Sequence, residues 1–202
     1  MSLRHSYTVL APVYDTFVAP FTLAARQSNL ALLPKAASTE VLLVGIGSGL
    51  DIPLLPRGPR YTGIDLTPAM LERARRKATA EKLDIQLDIG DARALPYPAA
   101  AFDAVVLHLI LAVAPCPERV LAESVRVLRP GGQMLVFDKF LRPGQSAPLR
   151  RLISPFVGLL ATHTDVVFEQ LLAQTRSLEV VSDTPTLARG WFRRIVLRKR
   201  AS

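Results

Sequence analysis

The stretch that decides the fold runs from Leu42 to Leu55 and reads LLVGIGSGLDIPLL. It begins as an apolar strand, continues with glycines at alternate positions (Gly45, Gly47 and Gly49), and ends in an apolar run able to open a helix. A glycine-rich turn between a strand and a helix lets a ligand approach the backbone, because glycine has no side chain in the way. The sequence therefore predicts a ligand site at these glycines.

The composition limits the classes of protein that fit this chain. It has 202 residues, half of them hydrophobic, which suits one domain with a sizeable core. Cys116 is the single cysteine, so neither a disulfide framework nor a cysteine-based zinc site is predicted, and no metal-ligand spacing stands out. Residues 1–11 lack a secretory signal, and the apolar residues 104–115 are too few to span a bilayer. We therefore expect a cytoplasmic protein.

The charge balance favours an anionic partner. The formal net charge is +8, which suits nucleic acid or an anionic membrane surface, although a solvated basic surface explains it equally well. Nucleic acid is disfavoured because only 6% of the residues are aromatic and no basic stretch is interleaved with rings for base stacking.

Strands and helices alternate after residue 40. The pattern predicts strands at 40–44, 61–64, 85–89, 102–107 and 133–137, and helices at 67–81 and 117–128. After a helix at 165–176, strands at 178–182 and 192–198 follow with no helix between them, so they are predicted to be antiparallel. The first forty residues are predicted to be helical with breaks at Pro12, Pro20 and Pro34. An α/β fold follows, with a mostly parallel sheet and right-handed crossovers.

Three known glycine motifs do not fit the loop. A phosphate-binding P-loop ends in Gly-Lys-Ser/Thr, and no lysine lies near these glycines. A dinucleotide fingerprint needs its third glycine where Leu50 stands. A nucleophile elbow has glycines two residues on either side of its serine, but Ser48 is flanked there by Ile46 and Leu50.

Two aspartates indicate which ligand fits the remaining G-x-G-x-G pattern. Asp65 ends the second predicted strand, where a carboxylate can accept both hydroxyls of a ribose. Asp91 follows the third strand, where it can accept from the adenine amine while Ala92 offers a backbone N–H to the ring. These groups meet at the carboxyl ends of neighbouring strands and describe an adenosine with a short, phosphate-free tail. S-adenosylmethionine is such a molecule.

The residues between 41 and 137 resemble the class I S-adenosylmethionine-dependent methyltransferases. The resemblance is carried by VLLVGIGSGLD, YTGIDLTPAMLERAR, GDARALPYPAAAFDAVV and VLRPGGQMLVFD. It implies a Rossmann-like, doubly wound sheet of seven strands, mostly parallel with an antiparallel last strand. The cofactor-binding residues predicted in this core are Gly45, Ile46, Gly47, Gly49, Asp65, Leu66, Asp91, Ala92, Leu107 and His108. Leu43 stands where the family usually has an acid that holds the methionine end, so a non-catalytic, cofactor-binding regulatory protein remains the alternative.

The N-terminal stretch YTVLAPVYD, residues 7–15, narrows the resemblance. It resembles soluble bacterial phosphatidylethanolamine N-methyltransferases and is similar to quinone C-methyltransferases. The resemblance implies that Tyr7 and Tyr14 line the cofactor site on a covering helix. We therefore expect a methyltransferase for a small molecule or a lipid head group such as phosphatidylethanolamine, with a quinone or another small-molecule C- or O-methyltransferase as an alternative.

Methyl transfer to an amine needs a proton acceptor, and transfer to carbon or oxygen needs a base. His108, just past the fourth strand, is the first candidate, and His163 in the stretch ATHTD is the second. The alternative role for His108 is that of a packed core histidine, and the alternative role for His163 is that of a loop residue. Tyr14 completes the predicted catalytic residues.

The predicted organisation is one methyltransferase domain over residues 1–202. Its parts are a helical cap (1–38), a cofactor-binding core (40–138), a lid or membrane-facing insert (139–164), and a C-terminal helix with an antiparallel strand pair (165–202). Within the insert, Arg150 and Arg151 stand among apolar residues. That composition suits either a helix lying on anionic lipid or a lid with an arginine rim.

Overall fold

The computed structural model describes residues 19–140, 166–187 and 190–201. The strands are β1 (Glu40–Val44), β2 (Arg60–Asp65), β3 (Ile85–Ile89), β4 (Phe102–His108), β5 (Leu128–Lys139), β6 (Leu178–Pro185) and β7 (Phe192–Lys199). The helices are α1 (residues 19–30), α2 (Pro68–Ala80), α3 (Pro117–Val127) and α4 (Phe168–Ala173), and residues Ile52–Leu54 form one 3-10 turn.

The seven strands form one sheet in the order β3-β2-β1-β4-β5-β7-β6. Neighbours from β3 to β5 pair in parallel, whereas β7 is antiparallel to both β5 and β6. The predicted α/β class, with a mostly parallel seven-stranded sheet and an antiparallel last strand, is confirmed. The central strands β1 and β4 are apolar on both faces because helices cover both sides of a parallel sheet.

Local structure departs from prediction in several places. The apolar run after the glycines forms one 3-10 turn, because three prolines between residues 53 and 59 prevent a longer helix. Residues 90–101, all of them described, form no helix between β3 and β4. The stretch RPGG at 129–132 belongs to β5 as an irregularity in its pairing with β4 instead of preceding the strand. Pro20 is the second residue of the described helical range 19–30.

Alternate residues of β4 point into two cores. Val105 and Leu107 pack under α3 and α4, on what we call the α3 face of the sheet. Ala104 and Val106 pack on the opposite, α1 face, where Leu30 and Leu33 cover the sheet. His108 follows the alternation of residues 104 and 106, so its side chain lies on the α1 face.

The parallel strands bring their carboxyl ends to one edge of the sheet. Val44 pairs with Ile64 at the end of β1, and Asp65 pairs with Ile89 at the end of β3. The glycine loop therefore lies beside the two aspartates, at the edge where open α/β sheets bind ligands.

Candidate active site

The glycine loop is tied to the neighbouring strand and presents an open backbone face. The N–H groups of Gly45 and Ile46 donate to the carbonyl oxygen of Ile64 at 2.8 and 3.1 Å. Gly47 has φ +56°, and a Cβ added there would meet no atom closer than the Gly45 carbonyl oxygen at 4.0 Å. Gly47 therefore has open space beside its backbone, which a ligand approaching the loop would require.

Gly49 has a different role. Its φ is +76°, and an added Cβ would lie 2.9 Å from the Ala74 Cα and 2.6 Å from the Ile52 side chain. The glycine therefore permits close packing of the loop on α2 and presents no free space to a ligand. The sequence pattern treats Gly47 and Gly49 alike, but in the structure Gly47 has open space beside it and Gly49 is packed against α2.

Asp65 is adjacent to the loop. Its carboxylate accepts from the Gly47 N–H and from the Thr67 N–H, both at 2.9 Å. Burial raises the pKa of Asp65, and the backbone donors at residues 67 and 47 partly oppose that shift. Leu66 follows with 40% of its surface exposed, a large value for an apolar residue and one that suits contact with a flat ring.

Asp91 lies at the next strand end along the sheet edge. The N–H of Gly90 donates to the Asp65 carbonyl oxygen at 3.0 Å, which links the two positions. The Asp91 carboxylate accepts from the Arg93 side chain, with the shortest contact 2.6 Å to Nη2, and from the Arg93 N–H at 2.9 Å. Ala92 is partly buried against the core. Sequence reasoning missed the role of Arg93, although its position two residues after the aspartate is typical of a local ion pair.

His108 and Leu107 point to opposite faces of β4. Leu107 is fully buried in the α3-face core. His108 is 8% exposed, with Nδ1 3.0 Å from Asp51 Oδ2 and Nε2 3.0 Å from Asn29 Nδ2. The structure therefore groups His108 with residues that were not predicted as site residues.

We call this group the Asp51 network, consisting of Arg26, Asn29, Asp51 and His108. Arg26 Nη1 donates to Asp51 Oδ1 at 3.0 Å and to the Leu50 carbonyl oxygen at 2.7 Å. Burial would raise the pKa of Asp51, but His108 and Arg26 together hold it below its ordinary value. The sequence contained one signal, an aspartate next to the glycine loop, but it did not reveal that α1 packs there.

Aromatic rings line the sheet edge beyond His108. The His108 ring lies 5.8 Å from the Phe137 ring, which stacks on Phe192 at 5.7 Å. Phe21 of α1 and Trp191 contact Phe192 at 6.2 and 6.0 Å. We call Phe21, Phe137, Trp191 and Phe192 the aromatic wall; Phe137 is fully buried in it, whereas the other three rings are at least partly exposed.

Some predicted residues fall elsewhere in the chain. Tyr7, Tyr14, His163, Arg150 and Arg151 lie outside the described residues. Across the described ranges, no three or more histidines, cysteines and acids are grouped as metal ligands would be. Within the same ranges, no helix is long and apolar enough to cross a membrane.

Residues 42–136 match a family described as a methyltransferase domain. A phosphatidylethanolamine N-methyltransferase of Cereibacter sphaeroides is 36% identical over 183 residues, which cover 89% of both chains. A demethylmenaquinone methyltransferase of Thermus thermophilus is 36% identical over 141 residues, covering 65% of this chain and 63% of its own.

Solved structures support the same fold. A SAM-dependent methyltransferase from Thermotoga maritima aligns with a TM-score of 0.71 and 21% identity, covering 98% of this chain and all of that one. The cyclase SpnF aligns with a TM-score of 0.76 and 20% identity, covering 99% and 96%. At such identities the likeness concerns the fold alone.

The chain belongs to the class I S-adenosylmethionine-dependent methyltransferases. The predicted family, enzyme class and cofactor are thereby confirmed. The geometry fits that cofactor, because open space at the Gly47 backbone lies beside the partly buried carboxylate of Asp65.

Proposed function

We propose that this enzyme methylates the amine of an ethanolamine-type phospholipid head group. The observation that carries the proposal is the similarity to the Cereibacter sphaeroides phosphatidylethanolamine N-methyltransferase, which extends over 89% of both chains. The demethylmenaquinone methyltransferase matches over a smaller share of both chains.

The loop and the two aspartates would hold the cofactor. Gly45, Ile46 and Gly47 would face the methionine end, Asp65 would accept from the ribose hydroxyls, and Leu66, Asp91 and Ala92 would contact the adenine. The residues proposed from the resemblance, Tyr7 and Tyr14, complete the binding set. When bound, S-adenosylmethionine supplies a methyl group on a sulfonium, which needs no metal or acid to be transferred.

The protein then has two tasks, to align the acceptor and to accept its proton. Holding two reactants in line is worth roughly 7–11 kcal/mol of the barrier. An ammonium head group must lose a proton before its nitrogen can attack, and the nitrogen becomes positively charged again once the methyl is attached. His108 is the proposed proton acceptor, with His163 and Tyr14 as the other candidates.

The aromatic wall supports an ammonium acceptor. Ring faces attract a cation by about 0.5–2 kcal/mol, and the attraction persists as methyl groups replace hydrogens. Phe192 and Phe21, which are less buried than Phe137, are the proposed contacts. The +8 net charge supports a second element of the proposal, peripheral contact with an anionic membrane in which such a lipid resides.

The test is incubation with labelled S-adenosylmethionine and one acceptor at a time. The acceptors are vesicles containing phosphatidylethanolamine, vesicles containing demethylmenaquinone, and a water-soluble ethanolamine. Labelled mono- and dimethylated phosphatidylethanolamine, identified by mass, is the expected product. Labelled quinone with unlabelled phospholipid would instead establish the second candidate, a quinone C-methyltransferase, which the Thermus thermophilus relative favours.

A further inference from the structure

Two cross-strand pairs of β5 and β7 place two aromatic rings and two cations side by side. Phe137 is paired with Arg194, and Lys139 is paired with Phe192. Residues directly opposite each other in an antiparallel pair share a face of the sheet, with Cβ atoms about 4.5–5.5 Å apart. The two rings, 5.7 Å apart, therefore occupy one diagonal of a square, and the two cations occupy the other diagonal. We call these four residues the ring–cation patch.

Contacts with α1 show which face of the sheet carries the ring–cation patch. The Phe21 ring of α1 lies 6.2 Å from the Phe192 ring, and Arg194 Nη1 donates to Ser28 Oγ at 2.6 Å. Lys139 is the last residue of β5 and lies opposite Phe192, so it belongs to the same α1 face at the carboxyl edge of the sheet. The patch is therefore at the edge where open α/β sheets bind ligands.

Within the described ranges, neither cation of the patch has a carboxylate partner. The Ser28 hydroxyl that accepts from Arg194 is neutral, and the Lys139 ammonium donates to no described residue. The acid next to it in the chain, Asp138, lies on the opposite face of β5, where its carboxylate accepts from the Ala112 N–H at 3.1 Å. Both positive charges thus remain without a neutralising side chain.

Other partly buried cations of this part of the sheet are paired. Lys199 Nζ donates to two carbonyl oxygens, each at 2.7 Å, and Arg193 forms ion pairs with Glu169 and Asp183. Lys139 is half-buried, and burial lowers its pKa. Because burying a charge is costly unless it is paired, this position favours an anion supplied by a ligand.

We propose that Lys139 and Arg194 bind the phosphodiester anion of the acceptor head group, while the Phe192 ring holds its ammonium. Lysine and arginine bind phosphate oxygens through charged hydrogen bonds, and a ring face attracts a cation. In an ethanolamine phosphodiester, the two charges are close enough to contact a ring and a cation that are neighbours in the patch. A quinone lacks this charge pair, so the patch selects a zwitterionic acceptor.

This inference rests on the proposed function for the identity of the acceptor, but the anion site can be tested without turnover. Lys139→Met with Arg194→Met removes both charges and keeps side chains of considerable length. Calorimetry measures the binding of glycerophosphoethanolamine, inorganic phosphate and ethanolamine to protein saturated with S-adenosylhomocysteine. The double variant should bind glycerophosphoethanolamine about 10–100-fold more weakly, because hydrogen bonds to a charged group are lost.

The other two probes separate the parts of the head group. Ethanolamine has no phosphate, so the double variant and the unaltered protein should bind it equally. Inorganic phosphate should bind the unaltered protein more weakly than the diester, since it has no ammonium for the Phe192 ring. Unchanged affinity for S-adenosylhomocysteine shows that the double variant is folded, and Lys139→Arg, which keeps the charge, should retain diester binding.

Lys35→Met with Arg198→Met is the matched control, because it removes the same net charge at exposed positions. Arg198 also belongs to β7, but it pairs with Gln133 towards the other end of that strand. This control should keep the affinity for glycerophosphoethanolamine. It thereby distinguishes a local anion site from the general attraction exerted by the net charge of +8.

The inference is overturned if the unaltered protein does not bind the diester, if the double variant binds it equally well, or if the control loses as much affinity. In turnover, the double variant should raise KM for short-chain phosphatidylethanolamine, dissolved below its micelle concentration, and leave KM for S-adenosylmethionine unchanged. If only demethylmenaquinone is methylated, the proposed function fails. Diester binding that is lost in the double variant alone would then still support the anion site.

Discussion

At Gly47 the lack of a side chain serves two purposes at once. The residue has φ +56°, which non-glycine residues rarely adopt, and it leaves open space next to the carboxylate of Asp65. The sequence pattern predicted the position, but the φ angle and the space become visible only in the folded loop. The space at an added Cβ thus separates Gly47, a proposed cofactor residue, from Gly49, which packs closely on α2.

Gly47→Val should abolish cofactor binding in a folded protein, because the added methyl groups would occupy the space meant for the ligand. Calorimetry with S-adenosylhomocysteine measures the effect. Gly131→Val is the matched control, since Gly131 has φ +77° and nothing within 4 Å of an added Cβ but lies in β5, away from the loop. Equal affinity in both variants would mean that the loop is only a turn.

Asp65→Ala should weaken S-adenosylmethionine binding by about 1.5–3 kcal/mol for each charged hydrogen bond lost to the ribose. Binding calorimetry on the folded variant provides the measurement. Asp84→Ala removes an exposed aspartate between α2 and β3 and should leave the affinity unchanged. If Asp65→Ala binds S-adenosylmethionine as tightly as the unaltered protein, Asp65 does not belong to the proposed cofactor site.

Asp138 predicts a pH dependence of folding. It is buried at the end of β5, where burial raises its pKa to about 6 although its carboxylate accepts from the Ala112 and Lys139 N–H groups. Because its folded pKa is above the unfolded value of 3.8, the folded state binds the proton more tightly, and this group's contribution to stability falls as pH rises from about 4 to 6.

The free energy of unfolding of the unaltered protein, relative to Asp138→Asn, should therefore increase by roughly 2.4 kcal/mol between pH 7.5 and pH 4, given 1.36 kcal/mol per pKa unit and the partial protonation of the unfolded chain at pH 4. Urea unfolding at several pH values measures this difference. A pH-independent difference would show that Asp138 titrates alike in the folded and unfolded chain.

Among the elements, α1 has the strongest link to the site. Its Leu30, together with Leu33 just after the helix, packs on the α1 face, and its Arg26 bonds both the Leu50 carbonyl and the Asp51 carboxylate. The helix therefore completes the wall behind the glycine loop. The sequence predicted helical structure in this region, but a helix alone does not specify the surface on which it packs.

Arg26→Leu should destabilise the protein by about 3–5 kcal/mol, because it leaves the buried Asp51 carboxylate without its counter-charge. The comparison is Arg60→Leu, which removes an exposed partner of Glu40 and should cost no more than about 1 kcal/mol. Chemical unfolding measures the free energy of unfolding of both variants. If both lose the same amount, the Arg26–Asp51 pair does not stabilise the protein more than the exposed Arg60–Glu40 pair does.

For the whole molecule, the excess of basic residues is the property that acts over distance. A net charge of +8 attracts the protein to an anionic surface, and salt screens that attraction. Together with the proposed phospholipid acceptor, it leads to a prediction for the intact protein.

The protein should sediment with vesicles containing phosphatidylglycerol, and less so as salt rises. Arg150→Glu with Arg151→Glu should reduce the sedimented fraction, since each arginine near a charged leaflet is worth about 1 kcal/mol. Cofactor affinity should not change. No sedimentation at any lipid composition, with turnover on a water-soluble acceptor, would contradict the membrane contact and leave the enzyme class intact.

The order of strands and helices, the glycine loop and the two aspartates were predictable because they depend on local chemistry. An apolar strand pattern, a glycine turn and a carboxylate at a strand end can each be recognised from residues that are close together in the sequence. The extent of β5 and the single 3-10 turn were less predictable, since strand pairing and neighbouring prolines decide them.

Only the tertiary structure decided which distant residues complete the site. Asn29 and His108 are separated by 79 positions, and Asp51 and His108 by 57, yet both pairs are hydrogen-bonded. Sequence patterns indicate which way a side chain faces along its own strand or helix, but the packing of α1 on the sheet determines what it meets. The family and the cofactor could therefore be inferred from local motifs, whereas the contacts among Asn29, Asp51 and His108 required the fold.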